Sequence, residues 1–83
     1  MYEIIYSPAA WKQLEKLEKS VKERIINALD RLRIRPEAYA SKLVNESAYK
    51  LRAGDYRVIF DIDHGNLIIL VIKIGHRRNI YKF

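Results

Sequence analysis

Basic residues recur at short intervals through the last third of the chain: Lys50, Arg52, Arg57, Lys73, His76, Arg77, Arg78 and Lys82, with Tyr81 among them. A guanidinium presents a planar fork of donors that matches phosphate oxygens, and it stays charged at any physiological pH. An ammonium adds a mobile point charge, and a tyrosine offers a stacking plane with a hydroxyl at its tip. Together such groups can grip an extended phosphodiester and stabilise extra negative charge on phosphorus. They do so only if the fold gathers them.

The elements that must do the gathering are legible from periodicity. Tyr2 to Tyr6 is a short aromatic and β-branched run, a first strand. Ser7-Pro8 reads as a helix start, with a capping hydroxyl and a proline suited to the first helical position. Trp11, Leu14 and Leu17 make one apolar stripe on that helix. Ser20 and Glu23 have the spacing of a capping box for a second helix, whose stripe is Val21, Ile25, Ala28 or Leu29, and Leu32. Pro36 stops it around Arg35. Segment 37–47 is polar and is expected to be a connecting loop toward the sheet. The period then switches to that of strands. Ala48 to Arg52 is a strand, Ala53-Gly54 a turn, and Asp55 to Asp63 a strand. His64-Gly65-Asn66 is a hairpin turn, Leu67 to Ile74 the most apolar strand, Gly75 a break, and Arg78 to Lys82 a short last strand. The expected fold class is α+β: an N-terminal strand, then a helix hairpin packed on one face of a mostly antiparallel four- to five-stranded sheet. Residues 1–83 are expected to form a single domain.

Strand alternation then sorts the side chains. Tyr56, Val58, Phe60 and Ile62 face the helices, and Arg57, Ile59 and Asp61 face away. Tyr49 and Leu51 point inward, leaving Lys50 and Arg52 outward. Ile68, Leu70, Ile72 and Ile74 are expected inward, leaving Lys73 on the open face with Val71 and Ile69. In the last strand Ile80 is the core residue and Tyr81 is on the open side, with Arg77 joining it if the strand extends that far. One face thus carries Lys50, Arg52, Arg57, Lys73, Arg77 and Tyr81, opposed only by Asp61. Open sheet faces are also commonly solvated by Lys and Arg that have no function. The outward aliphatics fit that reading poorly and suggest that a base or a protein segment packs there.

Bulk properties narrow the classes. Sixteen Lys and Arg against ten Asp and Glu give a net charge of +6, which favours polyanionic or acidic partners. The 49% apolar content is enough for a compact core, so disorder is not expected. With no cysteine there is no disulfide framework and no thiolate for a structural zinc, and neither metal nor cofactor is expected. The chain shows no basic region followed by a long apolar run, so a cytoplasmic protein without a membrane segment is expected.

The residues just placed also carry a resemblance. The run Tyr49-Lys50-Leu51-Arg52-Ala53-Gly54-Asp55-Tyr56-Arg57-Val58-Ile59-Phe60, followed by Val71-Ile72-Lys73-Ile74-Gly75-His76-Arg77-Arg78 and Tyr81-Lys82, resembles the RelE toxins of the RelE/ParE superfamily of prokaryotic toxin–antitoxin systems. The Ser7-Pro8-Ala9 helix start and the helix pair fit as well, so the resemblance spans essentially the whole chain. It implies a ribosome-dependent mRNA endonuclease that cuts the codon in the decoding site and is silenced by a small RelB-like antitoxin, with a toxin–antitoxin heterotetramer as one assembly open to the pair. By motif match, Lys50 corresponds to a lysine near the scissile phosphate and Arg57 to a phosphate-binding arginine. Arg77 corresponds to the arginine that stabilises the transition state, and Tyr81 to the tyrosine that stacks on or orients the cleaved nucleotide. Arg52, Lys73, His76, Arg78 and Lys82 complete the expected RNA contacts. Val44 and Ala48 stand where relatives carry basic residues.

Such an enzyme needs little beyond geometry and charge. The 2′-oxygen attacks the adjacent phosphorus in line, and the protein aligns the atoms, accepts a proton, stabilises the phosphorane and protonates the leaving 5′-oxygen. Lys50 fits either a general base or a further electrostatic clamp. His76 adjoins the glycine break, where turn placement competes with catalysis, and His64 belongs to the hairpin turn. Other readings remain open: a ParE-like inhibitor of DNA gyrase with the same fold and no nuclease chemistry, a non-catalytic basic RNA-binding module, and a decayed toxin held by its antitoxin.

Overall fold

The computed structural model describes residues 1–42 and 48–76. The elements are β1 (Glu3–Tyr6), α1 (Pro8–Glu15), α2 (Lys19–Leu32), a 3-10 turn (Pro36–Ala38), β2 (Ser41–Lys42), β3 (Tyr49–Ala53), β4 (Tyr56–Asp63) and β5 (Ile68–His76). They build one five-stranded sheet in the order β1-β5-β4-β3-β2. Every pairing is antiparallel except β1 with β5, which is parallel because the two helices carry the chain across before it returns. This is the α+β class expected, with the helices on one face. Two details differ. The polar stretch after the helices is not all loop, since Ser41 and Lys42 add an edge strand opposite Lys50 and Tyr49. Gly75 does not break β5, which continues in register to His76 opposite Tyr56. The expected last strand, Arg78 to Lys82, lies outside the described residues.

The helix starts obey different rules. Ser7 caps α1 as expected, its Oγ accepting from the Ala10 amide at 3.0 Å, with Pro8 opening the first turn. The expected capping box at Ser20 and Glu23 does not form. The link between the helices is so short that α2 already begins at Lys19, with Glu18 as its uncapped N-terminal boundary residue, so Ser20 falls inside the first turn. Ile25, Leu29 and Leu32 are the buried residues of α2, with Val21 and Ala28 packed at their margin. They meet Leu51, Ala53, Val58 and Phe60 of the sheet, and Phe60 stacks on Tyr49 across the β3–β4 pair.

The apolar strand departs from strict alternation. The β4–β5 register pairs Val58 with Ile74 and Ile59 with Lys73, then Phe60 with Val71, so Ile72 is an extra residue in β5. The bulge inverts the expected facing of the first half of the strand. Ile69 and Val71 are fully buried in the core under the helices, whereas Leu70 is 38% exposed on the open face with Ile5 of β1 opposite it. Ile74 points inward and Lys73 outward, as expected.

Side chains of α1 secure the β5 backbone where β1 no longer reaches it. The β1 pairing ends at Tyr6 with Val71. Beyond that, the Ser7 hydroxyl donates to the Ile72 carbonyl at 2.9 Å, and the Gln13 carbonyl oxygen accepts from the Ile74 amide at 2.7 Å. Buried backbone groups left unmatched would each cost on the order of 1–3 kcal/mol. Ser7 thus caps a helix and closes a strand with one hydroxyl.

At the far end of the β4–β5 hairpin, Asp63 accepts from the Asn66 amide and side chain at 3.0 and 2.9 Å, and the Asn66 contacts hold its carboxyl below the usual carboxylate range. His64 of this turn bridges distant segments: Nδ1 lies 2.7 Å from the Tyr2 hydroxyl and Nε2 lies 3.0 Å from Glu37 Oε1. No helix among the described residues is long and apolar enough to cross a membrane.

Two substitutions test this account. Ser7→Ala removes the cap and the Ile72 contact together and is expected to lower the unfolding free energy by about 1–2 kcal/mol in urea denaturation. Gly54 turns the chain with φ +62, and a β-carbon there would lie 2.8 Å from Arg24 Nη1. Gly54→Ala is expected to cost about 1–2 kcal/mol in the same measurement, chiefly from the left-handed backbone.

Candidate nucleic-acid interface

The sheet face turned away from the helices is organised in cross-strand rows, because residues opposite one another in a register share a face. One row runs Ser41, Lys50, Ile59, Lys73. The next runs Arg52, Arg57, Gly75. Four cations therefore sit in two adjacent rows, separated by strand spacings of about 4.8 Å. Arg57 pairs in register with Gly75, so its cross-strand neighbour on the β5 side contributes no side chain to the row. Ile59 lies between the two lysines and is only 2% exposed, although it faces away from the helix-side core. The aliphatic stems of Lys50 and Lys73 are suited to cover it while their ammonium groups reach outward.

Burial sets the character of each cation. Lys50, Arg57 and Lys73 are half-buried, the Arg57 Nε is fully buried, and Arg52 is exposed with its Nε donating to the Gly54 carbonyl at 3.3 Å. Half-buried guanidinium and ammonium groups act through a lower effective dielectric than fully solvated ones, so each exerts a stronger pull on an anion.

The same face carries carboxylates, more than strand alternation led us to expect. Rows further along run Asp61, Leu70, Ile5 and Asp63, Ile68, Glu3. Cations thus occupy the end near the β3–β4 turn and acids the end near the β4–β5 turn, with Leu70 and Ile5 between them. An extended anion is drawn to one end and repelled from the other.

The expected site residues divide accordingly. The fold brings together Lys50, Arg52, Arg57 and Lys73. His76 pairs in register with Tyr56, and the two rings meet edge to face at 5.5 Å. Tyr56 packs against the helix-side core, so His76 belongs to that side of the sheet rather than to the cationic rows. Arg77, Arg78, Tyr81 and Lys82 lie outside the described residues. Of the acidic end, alternation places Asp61 alone; Asp63 reads only as a strand terminus, and Glu3 becomes part of the face through the parallel β1–β5 pairing.

A small α+β protein with a helix pair on one side of its sheet and a cationic patch on the other is the class that fold and surface define. The family model described as "ParE toxin of type II toxin-antitoxin system, parDE" matches residues 4–81, and the chain belongs to this family, within the RelE/ParE superfamily. A putative RelE-like toxin protein of Escherichia coli is 28% identical over 79 residues, covering 92% of this chain and 83% of that protein. Among solved structures, the toxin–antitoxin complex RelBE2 from Mycobacterium tuberculosis contains a chain that superposes with a TM-score of 0.83 at 23% identity, covering 92% of this chain and 98% of that one. The intact E. coli RelBE toxin–antitoxin complex contains a chain with a TM-score of 0.79 at 27% identity, covering 92% and 96%.

Arg52 and Arg57 stand directly opposite each other, so their like charges repel across the strand pair. Arg52→Thr is therefore expected to raise the unfolding free energy by about 0.2–1 kcal/mol at low ionic strength. Urea denaturation repeated at high salt should shrink the gain, because mobile ions screen the repulsion.

Proposed function

We propose that the protein is the toxin of a type II toxin–antitoxin system and acts as a ribosome-dependent mRNA endonuclease. The observation that carries this reading is the convergence of Lys50, Arg52, Arg57 and Lys73 on two adjacent rows of the open face. Family membership supplies the toxin class, and the cationic rows supply a surface chemically suited to the phosphodiester.

In the proposed reaction the 2′-oxygen forms a bond to the adjacent phosphorus, the bond from phosphorus to the 5′-oxygen breaks, and the products end in a 2′,3′-cyclic phosphate and a 5′-hydroxyl. One proton leaves the attacking hydroxyl and one reaches the leaving oxygen. Arg57 and Arg77 stabilise the charge that accumulates on the non-bridging oxygens, Lys50 clamps the phosphate or accepts the first proton, and Tyr81 stacks on the nucleotide beside the break. Arg52, Lys73, Arg78 and Lys82 hold the flanking backbone, and His76, on the helix side of the sheet, takes no part in it. The acidic end of the face, at Asp61, Asp63 and Glu3, limits how the strand can lie.

An antitoxin is the second proposed partner. Relatives of this fold have been solved as complexes of RelE with RelB, and a chain of net charge +6 is electrostatically matched to an acidic partner segment.

One observation favours a second reading. The matching family model is described by the ParE toxin, so the same fold could act as an inhibitor of DNA gyrase without nuclease chemistry. A defined mRNA incubated with purified protein, with and without programmed ribosomes, separates the two when cuts are mapped by primer extension. Ribosome-dependent cuts within codons are expected, and Arg57→Ala or Arg77→Ala should each slow them by about 10²–10³-fold. No cuts under either condition, together with inhibition of gyrase supercoiling, would replace the nuclease reading with the second one.

A further inference from the structure

A groove lies on the opposite side of the β3–β4 turn from the cationic rows. It is bounded by Arg24, Asn27 and Arg31 of α2, with Ser20 and Glu23 at its margin, and by Arg52 and Gly54 of the sheet, and it has a volume of about 430 Å³. Arg24, Asn27 and Arg31 follow helical spacing on a single face, so the α-carbons of the two arginines stand about 10 Å apart along the groove. The absence of a side chain at Gly54 leaves room for Arg24 over the turn, since a β-carbon there would lie 2.8 Å from its Nη1. Among the described residues no salt bridge engages Arg24, Arg31 or Arg52, and Glu23 is the one carboxylate lining the groove.

Arg52 belongs to both surfaces. By register it is in the cationic rows, and by position it lines the groove. The edge strand β2 pairs only with Tyr49 and Lys50, so no strand among the described residues covers the sheet edge at Arg52. A linear polyanion crossing the open face at Arg52 leaves it at the end opposite to Asp61, Asp63 and Glu3.

We infer that the groove between α2 and the β3–β4 turn is a second backbone-binding subsite, in which Arg24 and Arg31 hold the phosphates of the same single-stranded RNA that lies across the open face. This rests on the proposed RNA reading of that face. It adds a positioning role for α2, at a distance from any bond that breaks, and continuity through Arg52 favours RNA over a separate protein ligand.

The test measures anisotropy of labelled 2′-O-methyl RNA, which cannot undergo 2′-oxygen attack, using oligonucleotides of about four and about twelve nucleotides over a range of salt. The unsubstituted protein should bind the longer strand more tightly and with a steeper salt dependence. The variant Arg24→Gln/Arg31→Gln should lower the log–log salt slope for the longer strand by about 1.4, two contacts at about 0.7 each, and leave the shorter strand unchanged. A charge-matched control, Lys12→Gln/Lys16→Gln on α1, should keep the wild-type slope. Circular dichroism of each variant establishes that it is folded, which is expected because all four side chains are exposed.

An unchanged slope in the α2 variant, an equal fall in the control, or no gain with strand length would overturn the subsite. So would a decaglutamate probe whose binding alone depends on Arg24 and Arg31, which would assign the groove to an acidic protein segment. Arg57→Gln reports separately on the open face. If it alters neither strand, the reading of that face fails on its own, whatever the groove shows.

Discussion

The arrangement of this sheet depends on one extra residue, Ile72 in β5. The strand must bury Ile69, Val71 and Ile74 under the helices while turning Lys73 to the opposite face. Strict alternation cannot do this, since residues 69, 71 and 73 would share one side. It would bury an ammonium at a cost of several kcal/mol, or expose two β-branched side chains worth about 1.5–3 kcal/mol each. The bulge removes the conflict by shifting phase between Val71 and Lys73. Both the core beneath the helices and the cationic row above it depend on that shift.

Much of the architecture was legible because it follows from local rules. Ser7-Pro8 marked a helix start that the structure reproduces atom for atom, and the spacing of Ile25, Leu29 and Leu32 defined the buried face of α2. The outward placement of Lys50, Arg52 and Arg57 needed only a two-residue period in strands without irregularity. What escaped was non-local. A bulge leaves no signature in an unbroken run such as Leu67 to Ile72, because every residue in it is apolar and the pattern is silent about phase. The edge strand at Ser41 and Lys42 is too short and too polar to announce itself, and it exists through pairing with β3. Ser20 and Glu23 had capping spacing, but spacing cannot reveal where a three-residue link lets the next helix begin.

The open face is best understood as polarised rather than merely basic. Its net pull on a polyanion is the sum of cations near one turn and carboxylates near the other, with Ile5 and Leu70 between. Such an arrangement confers orientation as well as attraction, because reversing the ligand does not reverse the field. The composition reports only an excess of six positive charges. Strand register converts that excess into a direction.

Ser7 and Gln13 carry a consequence beyond the stability of α1. A sheet edge with vacant amides and carbonyls is a template on which a strand from another molecule can grow. In β5, the stretch beyond β1 would be such a template, and it lies beside the most apolar sequence in the chain. Two polar side chains from a helix occupy its hydrogen-bonding positions at Ile72 and Ile74. Because these two positions already carry partners, a strand approaching along this stretch would have to displace Ser7 and Gln13 before it could pair with β5.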